Sequence, residues 1–281
     1  MKKALIVLRA YAWPASVIPV LVGSVIAARA GSFSYLDFAL TLLAALSVHS
    51  GANLSNTYFD FRNGVDRPSG SDDRALVDGL LSPRAALRLS LGLFAAGAAI
   101  GLLLSWKNRL PLLPAAGAAG FFLAWFYTAG VIKFKYRALG DIVIFLAFGP
   151  LIVAGTELIQ SGRISGAALL ASAPVGLLIA AIVHANNMRD ISSDRESGVR
   201  TLAGALGLQN SKRLYRALLI VPYALTLFCG GVWPPAFAAL SIPFALKLDG
   251  LASRDRFYDL VRETAKFVTV FGLLFSAGLL I

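Results

Sequence analysis

The sequence predicts an all-α protein: a polytopic membrane bundle of nine transmembrane helices, with a cytoplasmic N-terminus, a C-terminus outside and a central cavity opening near the cytoplasmic side. Three observations carry that reading. Of the 281 residues, 57% are hydrophobic and only 15% charged, with a mean hydropathy of +0.72, far above a soluble domain. The apolar residues gather into runs long enough to cross roughly 30 Å of hydrocarbon as helices. The charges are divided unequally between the two ends of those runs.

The runs lie near 11–29, 36–60, 84–105, 111–130, 138–157, 166–191, 214–231, 233–247 and 265–281, the eighth being short and bounded by proline. None shows the period-two alternation of a transmembrane barrel strand. With the N-terminus inside, 22 of the 26 Lys and Arg fall on the cytoplasmic side, leaving Arg29, Lys107, Arg109 and Arg163 outside. The net charge of +11 is then mainly a topology signal. A nucleic-acid partner would need a soluble basic face, which this pattern does not provide. Lys2-Lys3 and the following apolar run have the outline of a signal peptide, but Trp13-Pro14 and Pro19 interrupt the run, and it fits the first helix of a bundle. Cys229 is the only cysteine, so an intrachain disulfide and a multi-cysteine metal site are excluded.

Of the 15 Asp and Glu, only Asp37 and Glu157 fall on the outer side, so the working surface is cytoplasmic. The remaining acids concentrate in "NLSNTYFDFRNGVD", residues 53–66, and "NNMRDISSDRESGVRTLAG", residues 186–204. On a helix, His49, Asn53, Asn56 and Asp60 share an arc of about 60°. Gly64 is suited to ending that helix and turning Asp66 back toward Asp60. In the second stretch Asn186, Asn187, Asp190 and Asp194 share an arc of about 100°, with two like charges four residues apart.

Such acids require a compensating cation: Arg or Lys, a proton, or a metal. Oxygen donors without His or Cys point to Mg²⁺, which bridges one or two carboxylates to phosphate oxygens. The two stretches also match each other. Asn53, Asn56 and Asp60 align with Asn187, Asp190 and Asp194, and Gly-Val follows each final acid at +4 and +5. This predicts a single domain over 1–281 with two similar halves, about 1–130 and 131–281, facing one another across a cavity.

"NTYFDFRNGVD", "SDDRALVDGLL" and "NNMRDISSDRESGVRTL" resemble the motif segments of the UbiA-type intramembrane prenyltransferases, and "FKYRALGDIVIFLAFGPL" and "ASVIPVLVG" extend the likeness over nearly the whole chain. Within that family they are most similar to the menaquinone branch: bacterial dihydroxynaphthoate polyprenyltransferases and the animal UbiA-domain enzyme that forms vitamin K. The resemblance implies that Asn56, Asp60 and Asp66, with Asp190 and Asp194, hold Mg²⁺ on an isoprenyl diphosphate, geranylgeranyl or longer. Asn186 and Asn187 would assist at the diphosphate. The second substrate would be an aromatic acceptor, 1,4-dihydroxy-2-naphthoate losing its carboxylate. Lys135 is the expected diphosphate contact, with Arg74 and Arg189 behind it. Lys133, Lys135 and Arg137 could instead serve only to set topology.

Asn53, His49, Asp73 and Tyr127 are expected around the substrates. Asp73 and its neighbour Asp72 could simply pair with Arg74, and His49 reads as a helix contact or as a base. Phe121, Phe122, Trp125, Phe126 and Tyr127 offer π faces to an allylic cation, and equally suit lipid or core. The implied location is the cell (inner) membrane, with the lipid bilayer as surroundings and no protein partner indicated. Menadiol and hydroxybenzoate are the alternative acceptors; relatives acting on hydroxybenzoate carry Asn-Asp in the first motif, and here Thr57 follows Asn56, which disfavours hydroxybenzoate. An ion-coupled transporter is the alternative of another class, opposed by acids that lie at one end of their helices.

Overall fold

The computed structural model describes residues 6–66 and 74–281. Among these residues the secondary structure is helical, without strands. The first long helix, α1 (Pro14–Arg29), begins with Pro at its first position, where the missing N–H costs nothing. Helix α2 (Tyr35–Arg62) opens on Ser34, whose hydroxyl accepts from Asp37 N at 3.2 Å. Helix α3 (Pro83–Asn108) opens on Ser82 in the same way, and α4 (Leu113–Trp125) is a shorter apolar helix. Next come α5 (Gly140–Leu146), a π-helical turn at Ala147–Leu151 and α6 (Ile152–Ser161). Pro150 lies in that turn and has no N–H to donate, a usual origin of such a bulge.

Helix α7 (Gly166–Arg189), capped by Ser165, is followed at once by the short α8 (Ile191–Glu196) and α9 (Leu202–Leu206). The chain ends with α10 (Leu208–Thr226), α11 (Trp233–Ala239), α12 (Ile242–Ser253) and α13 (Phe257–Leu280). Six helical segments are long and apolar enough to cross a membrane, and the pair α11 and α12, bent by 49°, adds a seventh. The chain is a multi-pass membrane protein. Nine apolar runs read from sequence also count α4, which is 13 residues long, and the region of α10, which opens with Lys212, Arg213 and Arg216. Neither matches the length and apolar composition of those seven, so the length and composition of the described helices support seven spans rather than nine.

The core is built on α1, α7, α10 and α13: Ile18, Leu178, Tyr215, Phe267, Phe271 and Phe275 are all fully buried there. Close backbone approach is made possible by glycine. A Cβ on Gly176 of α7 would lie 2.9 Å from both Phe145 O and Gly149 Cα, and one on Gly272 of α13 would lie 2.3 Å from Ile18 Cγ2. In lipid, such small-residue contacts are a main source of helix association, because water no longer drives it. The α2–α3 hairpin leans against this core through α1 and α6, leaving a cavity between. Gly176→Val is expected to lower the thermal unfolding midpoint in detergent, at a cost of about 1–3 kcal/mol from overpacking. Gly117→Ala, with nothing within 4 Å of the new atom, should leave it unchanged.

Candidate active site

The cavity has a volume of about 810 Å³ and runs along α2 from a polar mouth to an apolar floor. Its mouth is lined by Asn53, Asn56, Asp60, Asp66, Arg74, Lys135, Asn186, Asn187, Arg189, Asp190 and Asp194, so both acid-rich stretches meet across one space. Its depth is lined by Thr41, Ala44, Gly97, Gly101, Leu104 and Gly155. Leu104 also packs with Leu110, Leu113, Leu158 and Ile159 in a separate apolar cluster at the end opposite the acids.

The two final acids of the motifs are set by the same local structure. After α2, Gly64 takes φ +71°, Val65 N donates to Asp60 O at 2.9 Å and Gly64 N to Phe61 O at 3.1 Å. After α8, Gly198 takes φ +72°, Val199 N donates to Asp194 O at 2.8 Å and Gly198 N to Arg195 O at 3.2 Å. Each is a Schellman stop that requires glycine at the left-handed position. The first puts the Asp60 carboxylate in the last turn of the 28-residue α2, where the backbone already presents negative partial charge. The Gly64 turn also brings Asp66 N within 3.3 Å of Asp60 O, and both residues line the cavity mouth.

The helix carrying the second motif does not continue through it. Asp190 sits at φ −99°, ψ 8° between α7 and α8. Asp194 N still donates to Asp190 O at 2.8 Å, so the two acids remain one turn apart across the break. Asp190 is held by Arg189 through two hydrogen bonds of 2.7 Å, Nε to Oδ1 and Nη2 to Oδ2. Asp194 is buried, and its Oδ2 has no hydrogen-bond partner among the described residues.

Asp60 is fully engaged. Lys135 Nζ donates to its Oδ2 at 2.8 Å and Tyr136 OH to its Oδ1 at 2.7 Å. Both donors come from a single 3₁₀ turn, Phe134–Tyr136, entered through Lys133 in the left-handed region. Burial alone would lower the Lys135 ammonium, but the Asp60 carboxylate outweighs it and holds the group above its usual range. Removing one member of such a pair strands a buried charge, at a cost on the order of 3 kcal/mol. Asn56 Oδ1 accepts from Thr128 Oγ1 at 2.9 Å, and Asn53 Nδ2 is buried without a partner among the described residues.

His49 lines the cavity below Asn53. Its Nδ1 is 2.8 Å from Ser16 Oγ, and Phe148 meets its ring edge-on at 5.0 Å. Tyr127 and Phe121 also face the cavity. Phe122 and Phe126 instead pack with each other. Arg74 lines the mouth while bound to Asp78 at 2.6 and 2.9 Å. Asp72 and Asp73 lie outside the described residues. Three residues here escaped the sequence reading: Tyr136, whose signal was its place beside Lys135, and the buried Asp141 and His184, joined at 2.5 Å.

Among the described residues, no three acids, His or Cys converge closely enough to enclose a metal. The donor set still fits Mg²⁺, which keeps several waters and takes one or two carboxylates together with substrate phosphate oxygens. The orphaned Asp194 Oδ2 is a hard oxygen of that kind.

A UbiA prenyltransferase family model matches residues 16–276. The chain belongs to the UbiA prenyltransferase family. It is 38% identical over 286 residues to human UbiA prenyltransferase domain-containing protein 1, covering 98% of this chain and 82% of that one. It is 37% identical over 279 residues to the Xenopus tropicalis protein of the same name, covering 98% and 80%. In fold it is similar to a UbiA homologue from Aeropyrum pernix K1 (TM-score 0.72, 19% identity, 94% of this chain and 96% of that one). It is also similar to a UbiA homologue from Archaeoglobus fulgidus bound to GPP and Mg²⁺ (TM-score 0.68, 17% identity, 98% and 99%). This UbiA-type prenyltransferase places the acids of its two Asn/Asp-rich stretches at the mouth of its cavity, and the transporter alternative has no support.

Asp194 lies outside the spanning helices, and burial pushes its carboxyl up to about 6, opposed by Lys135 and reinforced by Asp190 and Asp60. Below that pH the group is neutral and a poor ligand; above it the carboxylate is available. Mn²⁺ affinity of the purified protein should therefore fall as pH drops below about 6, approaching tenfold per unit. An affinity that stays constant from pH 7 to pH 5 would remove Asp194 from the ligand set.

Proposed function

We propose that this chain transfers an isoprenyl group, geranylgeranyl or longer, from its diphosphate to 1,4-dihydroxy-2-naphthoate with loss of carbon dioxide, the prenylating step of menaquinone synthesis. The observation that carries the proposal is the convergence of Asp60, Asp66, Asp190 and Asp194 at the polar mouth of a cavity whose floor is apolar. A diphosphate suits the first end and a polyprenyl tail the second. Thr41 lies nineteen residues before Asp60 on α2, so the cavity reaches roughly 28 Å below the acids. Relatives at 37–38% identity carry the UbiA prenyltransferase domain name, and the Archaeoglobus homologue binds GPP and Mg²⁺, which supports the donor and the metal.

In this reading Asp60, Asp66, Asp190 and Asp194, with Asn56, would hold Mg²⁺, which when bound would supply positive charge for the departing diphosphate. Lys135, Arg189 and Arg74 supply cationic donors to the same diphosphate, and Asn56, Asn186 and Asn187 polar contacts. The allylic C–O bond breaks with its electron pair leaving on the diphosphate. The resulting allylic cation is held beneath Tyr127 and kept from water by the closed apolar walls. The electron-rich ring carbon that bears the carboxylate attacks this cation. Loss of the carboxylate as CO₂ returns the C–C electron pair to the ring and restores aromaticity. His49 and Asn53, just below the acids, are placed to contact the substrates. We further propose one domain of two similar halves, 1–130 and 131–281, in the cell (inner) membrane with the site toward the cytoplasm.

Mass spectrometry of products from purified protein given geranylgeranyl diphosphate with dihydroxynaphthoate, menadiol or hydroxybenzoate tests this reading. The expected product is an EDTA-sensitive dihydroxynaphthoate adduct lacking its carboxylate; an adduct with hydroxybenzoate alone would reassign the acceptor. Asp60→Ala and Asp194→Ala should each lower turnover at least 100-fold while the protein remains folded in detergent. Gly101→Leu, which fills the lower cavity, should spare a short donor such as geranyl diphosphate and raise KM for long ones. Equal KM changes for all donors would place the tail elsewhere.

A further inference from the structure

Asn187 of the second motif carries a geometric constraint imposed from outside the motif. Its Nδ2 donates to Asp141 Oδ1 at 2.9 Å, and Asp141 Oδ2 lies 2.5 Å from His184 Nδ1. His184 Nε2 faces the Ser211 carbonyl at 3.2 Å, an atom that can only accept. His184 and Asn187 are one turn apart on α7, while Asp141 comes from α5 and Ser211 from α10. His184 has no exposed surface and Asp141 is 6% exposed.

This network fixes which end of the Asn187 amide faces the substrates. Asp141 Oδ1 accepts a hydrogen bond whether the hydrogen between Oδ2 and Nδ1 sits on the carboxyl or on the ring. The reversed amide would put two acceptor oxygens together at 2.9 Å in a buried setting, so Nδ2 is the atom held. Asn187 lines the cavity, and its Oδ1 has no hydrogen-bond partner among the described residues. Asp141 takes one of the two Nδ2 hydrogens, and the network leaves the carbonyl oxygen of Asn187 unpartnered at the cavity. A diphosphate oxygen needs a donor, whereas a hard divalent cation or its bound water needs an oxygen.

We propose that Asn187 is a cation-facing ligand beside Asp190 and Asp194, and that Asp141 and His184 are positioning residues that lock its carbonyl in that direction. The inference rests on the metal reading of the acids given above and deepens it, moving Asn187 from the diphosphate to the cation. It also gives roles to two buried residues, Asp141 and His184, that the reading of the motifs leaves unused.

The test is Mn²⁺ binding to the purified protein in detergent, followed by EPR of the free ion, with geranylgeranyl thiolodiphosphate affinity measured separately and melting curves recorded for every variant. Asn187→Ala and Asp141→Ala should each weaken Mn²⁺ about tenfold or more and change analogue affinity in the absence of metal by less than twofold. Asp141→Asn keeps both contacts, its oxygen accepting from Asn187 Nδ2 and its amide donating to His184 Nδ1, so it still directs the Asn187 carbonyl. It should keep Mn²⁺ affinity within about twofold of wild type. Wild-type Mn²⁺ binding by Asn187→Ala or Asp141→Ala, or an Asp141→Asn variant that melts normally yet binds weakly, would overturn the proposal. Asp194→Asn is the control for the underlying reading: if it binds Mn²⁺ as wild type does, the acids are not the metal site and both readings fall.

Discussion

Everything at the mouth of the cavity follows from placing carboxylates where the surroundings do not tolerate them. Asp60 lies in the last turn of α2, against the negative end of the backbone dipole, and both Asp60 and Asp194 are buried. A charge in that position is stable only with a cation close by. The protein meets this demand locally, with Lys135 and Tyr136 on Asp60 and Arg189 on Asp190, and leaves Asp194 incompletely satisfied. In the function proposed above, a substrate bringing divalent cations and a diphosphate would complete the charge balance, making substrate binding and local electrostatic stability one problem.

The fold serves that constraint by separating two functions in space. One side of the bundle is closely packed, with Gly149, Gly176 and Gly272 letting backbones meet and Phe267, Phe271 and Phe275 filling the centre. The other side, between α2, α3, α6 and α7, is held apart and lined by Ala, Gly and Val as it deepens. Small residues therefore act in two opposed ways. On α7 and α13 they allow contact; along α3 and α6 they make room.

The buried polar groups that face no substrate are explained by the same logic. The Asp141–His184–Ser211 chain is paired at every member and ties α5, α7 and α10 together beneath the second motif. At the opposite end, Asp37 takes Lys107 at 2.8 and 2.9 Å, and Glu157 accepts from Ser165 N at 2.7 Å. Charges that read as isolated in the sequence prove to be paired once neighbouring helices are in place.

The sequence by itself determined the fold class and marked the two acid-rich stretches that meet at the cavity mouth. Apolar runs specify spanning helices because an unsatisfied backbone in lipid is too costly for anything else. The stripe from His49 to Asp60 was legible because helical spacing maps sequence offset onto a face. The Gly-Val pair after each final acid was legible because the left-handed stop requires glycine. Only the tertiary structure decided the rest. Tyr136 reaches Asp60 across 76 residues and Asp141 reaches Asn187 across 46, and no local pattern encodes such partners. The break at Asp190 was likewise hidden, since nothing in "NNMRDISSD" forbids a continuous helix. Periodicity reports which face a residue occupies; only the packing of distant helices decides what that face meets.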